Sequence, residues 1–544
     1  MTSTAALPDN IDDLKEIIEA RDKILLAKEK ALLEKEKALA KKTKKIELLE
    51  EYLRVLKAKQ FGRSSERHIS DAQVSLFNEA EQLDESSAEY EAVEDPSAAD
   101  SSSSDPSPRT TTRKPGRCRF PDSLPRHKVY HELDADKKQC ECGCELDAFD
   151  EVISEQLGII PAALYVIQHC RKKYRCCQCK EKPPVTAPLP PQPFPKSNAS
   201  PELMAYIVIS KFLDGLPFYR QEAIWKRINI ELPRATQANW SIAGGNLAQP
   251  LVNLLREHQQ QGRVMHIDET PVQVLKEPDK PPDGKKYFWV TAGGPDETPI
   301  ILFHYHPSRG SDVAHALLDG CQGTVISDDW SVYSKVCETL HLTHIACNDH
   351  ARRRFDEALK AEPKKKKTIG LSKAEMGLNY YKKLYAVERR IKTVSPEEKY
   401  HIRQQESVPI WKSFIEWIEK HIHRVTPESK LGKALHYTYK LKDKLSYYCE
   451  DGTLPISNQK AENAIRPFAI ARKNFLFYDT PRGASASANL YSLIMTAKSY
   501  GLDPFYYLAY VFKQLPLATT VKQIEALLPW RVTDTALKSS FNRF

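Results

Sequence analysis

Long apolar runs are missing from this chain of 544 residues. A transmembrane helix needs about 18 or more consecutive apolar residues, and no stretch meets that, so no membrane span is expected. The opening residues, MTSTAALPDNIDDLKE, lack the basic-then-apolar layout of a secretory signal, so export is not expected either. A large excess of one charge is also missing. Lys and Arg number 80 against 72 Asp and Glu, a net +8. Nucleic-acid binding therefore requires that the basic residues be concentrated locally. Cysteine is sparse outside one window: of 12, all but Cys321, Cys337, Cys347 and Cys449 fall between Cys118 and Cys179. Disulfide frameworks belong to small secreted domains, which this chain is not, so a reduced compartment with one local metal site fits the pattern. The length implies about two to four domains.

What is present changes character along the chain. Residues 9–61 contain neither proline nor glycine, and Ile11, Ile18, Leu25, Leu32, Leu39, Ile46 and Leu53 recur at heptad spacing. Such a seam predicts a dimerising coiled coil. The companion positions Arg21, Lys28, Lys35 and Lys42 are charged, which leaves a single solvated helix with Glu–Lys pairs as the other reading. The coil and the basic element FGRSSER occupy 9–82, and an acidic, then Ser/Pro-rich linker occupies 83–117. Residues 118–182 form a cysteine module. Cys176 and Cys179 have the gap of a zinc knuckle, while Cys140, Cys142 and Cys144 offer several pairings, with Cys140 and Cys142 favoured beside the Gly143 turn. Arg171, Lys172 and Lys173 crowd this module and suit DNA phosphate neutralisation.

A proline-rich connector at 183–199 leads to a helical adaptor at 200–260. From 261 to 355, three strand-like runs (RVMHIDETPVQVL, KKYFWVTAGG, PIILFHYHP) precede a helix, the strand TVIS and HIACNDHARRRF. This order predicts a mixed sheet flanked by helices. Residues 356–450 read as helical, 451–505 carry a further helix with AENAIRPF, and 506–544 form a helical tail.

Asp268 lies in one strand-like run, Asp328 ends another, and Glu462 falls in the later helix. Carboxylates so placed can meet over a sheet edge and hold two divalent ions for phosphodiester chemistry. Their hard oxygens suit Mg²⁺. Glu269 and Asp329 adjoin the two aspartates, and strand alternation allows only one of each pair to serve. Cys347 and His350 form a C-x-x-H pair for which the sequence supplies no further ligands, so packing is the expected role. Arg352, Arg353, Arg466, Arg472 and Lys473 are candidates for holding DNA phosphates.

HIDETPVQVL, SDDWSVY, CNDHARRRF and especially ISNQKAENAIRPFAIARKNFLFYDTPRGASASANLYSLIMTAKSYGLDP closely resemble the insertion-sequence-66 family of DDE transposases. FGRSSER and SLFNEAE resemble its N-terminal region, and the cysteine module its zinc-binding domain. The resemblance implies a multidomain α/β protein whose ribonuclease-H-like catalytic core carries a large helical insertion, preceded by the coil and the zinc module. It places the catalytic carboxylates at Asp268, Asp328 and Glu462, with Asp329 where relatives have glycine and Trp330 at the aromatic position. The insertion accounts for the 133 residues between Asp328 and Glu462. The implied cofactors are Mg²⁺ (or Mn²⁺) at the carboxylates and Zn²⁺ at Cys140, Cys142, Cys176 and Cys179. The implied activity is cleavage and strand transfer at the element's terminal inverted repeats. Implied partners are those repeats, target DNA, a second copy in a synaptic complex and accessory proteins of the element, in the bacterial cytoplasm at the nucleoid. A DNA-binding regulator without catalysis, or a nuclease that cleaves without joining, is the alternative.

Overall fold

A computed structural model describes residues 11–61, 166–168, 172–174, 185–186, 192–193, 199–295, 298–362 and 371–539. These fall in two units, one within Glu91–Pro190 and the other formed by the rest. Within the first, β1 (Lys173–Tyr174) pairs antiparallel with β2 (Val185–Thr186). The proposed zinc ligands Cys140, Cys142, Cys176 and Cys179, and also Arg171, lie outside the described residues.

The larger unit is mixed α/β and mostly helical. It begins with α1 (Ile11–Phe61), an unbroken helix as the missing Pro and Gly predict. Leu25, Leu32, Leu39 and Ile46 on it are more than half exposed. Its later turns dock: Val55 is buried, Arg54 Nε donates to the Ala361 carbonyl at 2.8 Å, and Glu51 accepts the Lys430 N–H at 2.8 Å.

Four helices follow: α2 (Pro201–Phe212), α3 (Phe218–Arg227), α4 (Arg234–Leu247) and α5 (Gln249–Gln260). The sheet comprises β3 (Val264–Val272), β4 (Lys286–Gly293), β5 (Ile300–His306), β6 (Thr324–Ser327) and β7 (Thr343–Ala346), in spatial order β5-β4-β3-β6-β7. The first three strands form an antiparallel meander, and β6 and β7 add in parallel to β3. Parallel neighbours need crossovers, supplied by α6 (Ser311–Leu318) and α7 (Ser331–Thr339). Val313, Leu317, Tyr333 and Val336 from these helices pack with Met265, Ile267, Trp289 and Val325 of the sheet.

Between β7 and the return of the chain to the sheet lies a run of helices. It comprises α8 (Asn348–Ala361), α9 (Lys373–Arg390), α10 (Pro396–Ile402), α11 (Val408–Ile422), α12 (Lys430–Lys440) and α13 (Lys442–Ser446), with a π-helical segment at Arg403–Ser407. It has its own aromatic core, Phe355, Tyr381, Trp411 and Phe414, which joins the sheet through Ile326 and Ile345. The buried Arg403 is tied to Glu388 and to the carbonyls of Tyr448 and Asp451.

The chain returns to the sheet through α14 (Gln459–Phe475) and α15 (Pro481–Ser499), then ends in α16 (Pro504–Gln514), α17 (Val521–Glu525) and α18 (Asp534–Ser539). Small residues let α15 approach α4 closely: a Cβ on Gly245 would meet the Ala486 carbonyl oxygen at 2.3 Å. The outer edge of β5 is not left open. Thr496 Oγ1 accepts the Ile301 N–H at 3.0 Å, and Ser492 Oγ accepts the Phe303 N–H at 2.8 Å, both from α15. Side-chain hydroxyls thereby replace a neighbouring strand. Among the described residues, no helix is long and apolar enough to cross a membrane.

Candidate active site

The register of the central strands builds the site. β3 and β6 run parallel with Val264 level with Thr324 and His266 level with Ile326. Continuing that register by two residues sets Asp268 level with Asp328, which directly follows the last residue of β6. Adjacent strands lie about 4.8 Å apart, so both aspartates sit together where the parallel strands end. The alternation of β3 turns Asp268 to the face of His266, while Glu269 turns to the opposite face. There the Tyr333 hydroxyl and Arg309 bind Glu269. At the end of β6 the strand has stopped and alternation no longer governs: Asp329 pairs with Lys440 of α12 at 3.2 Å.

Glu462 arrives in the first turn of α14, and Asn458 sets its position. Asn458 is fully buried at the N-cap. Its Oδ1 lies 3.0 Å from His266 Nδ1, its Nδ2 donates to the Ile267 carbonyl at 2.9 Å, and its N–H donates to Cys347 Sγ at 3.2 Å. One amide thus joins β3, α14 and the start of α8. Burial, with the positive Lys460 nearby, depresses His266 to about 3, so it is neutral and acts as a spacer. Farther along α14, Arg472 Nη1 donates to Thr270 Oγ1 at 2.8 Å and aligns the helix with β3.

Negative charge is crowded here. Burial, then Glu269, Glu462 and Asp328, push the Asp268 carboxyl well above the ordinary carboxylate range, against one favourable bond from the Glu269 N–H at 2.8 Å. Asp349 is also raised, by burial and then by Glu462. Asp328 accepts the Trp330 N–H at 3.0 Å, and Arg309 Nη2 lies 3.9 Å from its Oδ2 while stacking over the Trp330 ring at 4.3 Å. The three expected carboxylates thus share one electrostatic neighbourhood. They are not a set whose oxygens all lie within 4.8 Å of one another. Among the described residues, that closeness belongs to Cys347, His350 and Glu462. Glu462 Oε1 is 3.6 Å from Cys347 Sγ and 3.4 Å from His350 Nδ1, and its Oε2 is 3.3 Å from Arg353 Nη2.

The other basic candidates are spread out. Arg353 and Arg472 are engaged within the protein as described, and Arg352 sits 3.9 Å from Asp349. Lys473 and Lys172 are exposed, Arg466 is half-buried, and Lys173 lies in β1. Sequence reasoning missed Asn458, Arg309 and Tyr333. Only Asn458 carried a signal, standing four residues before Glu462 in the most distinctive motif.

Comparison with known proteins covers much of the chain. Residues 196–486, spanning the sheet, the run of helices and α14, match the Transposase IS66 family. The chain belongs to that family. Three further regions match it piecewise. Residues 48–129 match the element described as Transposase C of IS166 homeodomain, 137–180 the zinc-finger binding domain of transposase IS66, and 492–530 the IS66 C-terminal element. Similar proteins occur in Sinorhizobium fredii. One is the uncharacterized protein y4qI, 29% identical over 560 residues, covering 98% of this chain and 99% of that protein. Another is the uncharacterized protein y4jD, 30% identical over 425 residues, covering 76% and 81%. This IS66 family member is therefore a transposase in general class, with a zinc-finger region and a leucine-zipper-like region.

Proposed function

We propose that this IS66 transposase cleaves DNA at the terminal inverted repeats of its own insertion sequence and transfers the freed strand to target DNA. The observation that carries the reading is the convergence of Asp268, Asp328 and Glu462 at one sheet end. Separate elements bring them together, and their charges oppose one another. The strand order, an antiparallel meander extended by two parallel strands on the side of its first strand, is the order of a ribonuclease-H-like core, and this supports that fold assignment.

The donor set fits a hard divalent cation. It is all oxygen, partly open to solvent, and carries more negative charge than Arg309, 3.9 Å from Asp328, and Arg353, 3.3 Å from Glu462, offset. Mg²⁺ or Mn²⁺ bound by Asp268, Asp328 and Glu462 supplies activation of a water or 3′-hydroxyl nucleophile and stabilisation of the leaving oxygen. The protein's own part is positional. The β3–β6 register holds the aspartates level, Asn458 fixes the start of α14, and Arg309 keeps Glu269 out of the site. Cys140, Cys142, Cys176 and Cys179 would hold Zn²⁺ in the module that recognises the ends, with Arg171, Lys172 and Lys173 neutralising backbone phosphates. Arg352, Arg466 and Lys473 extend that contact near the carboxylates, and α1 pairs two copies in a synaptic complex.

A strand-transfer assay with labelled element ends tests this. Asp268→Asn, Asp328→Asn and Glu462→Gln are each expected to abolish cleavage and joining in Mg²⁺ while leaving end binding largely intact. Full transfer by Asp268→Asn would overturn the assignment. A second reading, a DNA-binding regulator without catalysis, is favoured by the engagement of Glu462 with Arg353 and His350. It predicts that the unaltered protein binds ends and leaves them uncut.

A further inference from the structure

We propose that Cys347, His350 and Glu462 form a second transition-metal site, of the kind that takes Zn²⁺, separate from the cysteine module and sharing one residue with the carboxylate site. The geometry points there. Bond lengths of about 2.3 Å to sulfur and about 2.0–2.2 Å to nitrogen and oxygen put the edges of a tetrahedron at roughly 3.4 Å (N to O) and 3.6 Å (S to O). His350 Nδ1 is 3.4 Å from Glu462 Oε1, and Cys347 Sγ is 3.6 Å from the same oxygen. All three donor atoms lie within 4.8 Å of one another, and no other group of His, Cys, Asp or Glu among the described residues does so.

The hydrogen bonding around the three atoms fits the same use. His350 Nδ1 is buried and makes no hydrogen bond, an arrangement that leaves a ring nitrogen unsatisfied beside two other ligand atoms. Cys347 occupies the N-cap of α8, where its sulfur accepts the Asn458 N–H at 3.2 Å and its thiol donates to Glu462 Oε1. Burial and the charges of Glu462 and Asp349 hold that proton on the sulfur until a metal displaces it. The second oxygen of Glu462 is held by Arg353 at 3.3 Å, as ligating carboxylates usually are by an outer partner. One mixed sulfur, nitrogen and oxygen set suits zinc and not magnesium, with water as the fourth ligand. On entry the metal replaces the thiol proton, which passes to solvent. A metal here engages Glu462, so its occupancy competes with use of that carboxylate beside Asp268. This consequence rests on the proposed reaction, whereas the metal count does not.

The test is the zinc content of the purified full chain, compared with Cys347→Ala and His350→Ala. Each variant is expected to lose one metal equivalent while keeping the zinc of the cysteine module. Cobalt-substituted protein should show, in the difference spectrum between the unaltered chain and Cys347→Ala, the charge-transfer absorption of a single thiolate. His350 is partly exposed, so His350→Ala keeps the test decisive should Cys347→Ala fail to fold. Unchanged zinc content in a folded His350→Ala variant, with no thiolate band lost in Cys347→Ala, would overturn the site. Neither result depends on DNA or on transfer activity.

Discussion

Asn458 and His266, 192 positions apart in the chain, meet inside the protein with Oδ1 and Nδ1 separated by 3.0 Å. Because Asn458 Nδ2 already donates to the Ile267 carbonyl, its Oδ1 is the acceptor and the imidazole Nδ1 carries the proton. The contact locks the middle of β3 to the start of α14, the two elements that carry Asp268 and Glu462.

Asn458→Ala should therefore damage both stability and placement of Glu462. It strands the His266 N–H and the Ile267 carbonyl in a buried setting, at about 1–3 kcal/mol for each unsatisfied group. Urea unfolding should show the loss directly. A midpoint equal to that of the unaltered protein would refute the locking role.

Thr496→Val tests how the sheet edge is closed. The valine keeps the shape but removes the acceptor for the Ile301 N–H and the donor to the Ile301 carbonyl at 2.9 Å. A cost of about 1–3 kcal/mol is expected, with faster amide exchange confined to β5. Unaltered exchange at Ile301 would mean that the hydroxyl does not seal the strand.

Much of this architecture was legible in the sequence because it depends on local pattern. The strand-like runs HIDETPV and YFWVTAG between turn residues mark β3 and β4, and the missing Pro and Gly mark α1. Asp268 and Asp328 were visible as acids in or after strands, and Glu462 through a family motif. What no local pattern reports is which distant groups meet. The pairing of Arg309 with Glu269 depends on a loop 40 positions away. The contact of Cys347 with Glu462 spans 115. The C-x-x-H pair was expected to pack because its third neighbour arrives only after the whole run of helices has folded back onto β7.

Asp268 gives the metal-free protein a pH-dependent stability. Its folded pKa is raised by burial and by Glu269, Glu462 and Asp328, so the folded state binds its proton more tightly than the unfolded state does. The resulting stabilisation is complete below the ordinary carboxylate pKa and is lost as pH rises through the raised value. Thermal melts without divalent ions should accordingly fall as pH rises above the usual carboxylate range. Adding Mg²⁺ should restore stability at neutral pH and do so less well in acid, where protons compete. In Asp268→Asn the melting temperature should be higher than in the parent without metal, and nearly indifferent to Mg²⁺. A lower, Mg²⁺-responsive melt for that variant would show that the cation is held elsewhere.

The exposed face of α1 makes the last prediction. Leu25, Leu32, Leu39 and Ile46 are 56%, 61%, 66% and 56% exposed, while Arg54, Val55 and Glu51 in later turns dock on the rest of the unit. Full burial of each such side chain contributes about 1.5–3 kcal/mol, so a stripe this long is worth enough to offset the entropy of joining two chains. Pairing in register puts each leucine against its own counterpart, as a heptad seam requires. Leu32→Glu with Leu39→Glu would place four carboxylates in that seam. Sedimentation should then report a monomer at concentrations where the parent is a dimer, with end binding retained by each monomer and paired-end complexes lost. If the double variant sediments with the parent, the coil is a solvated arm and the two ends must be paired by another surface.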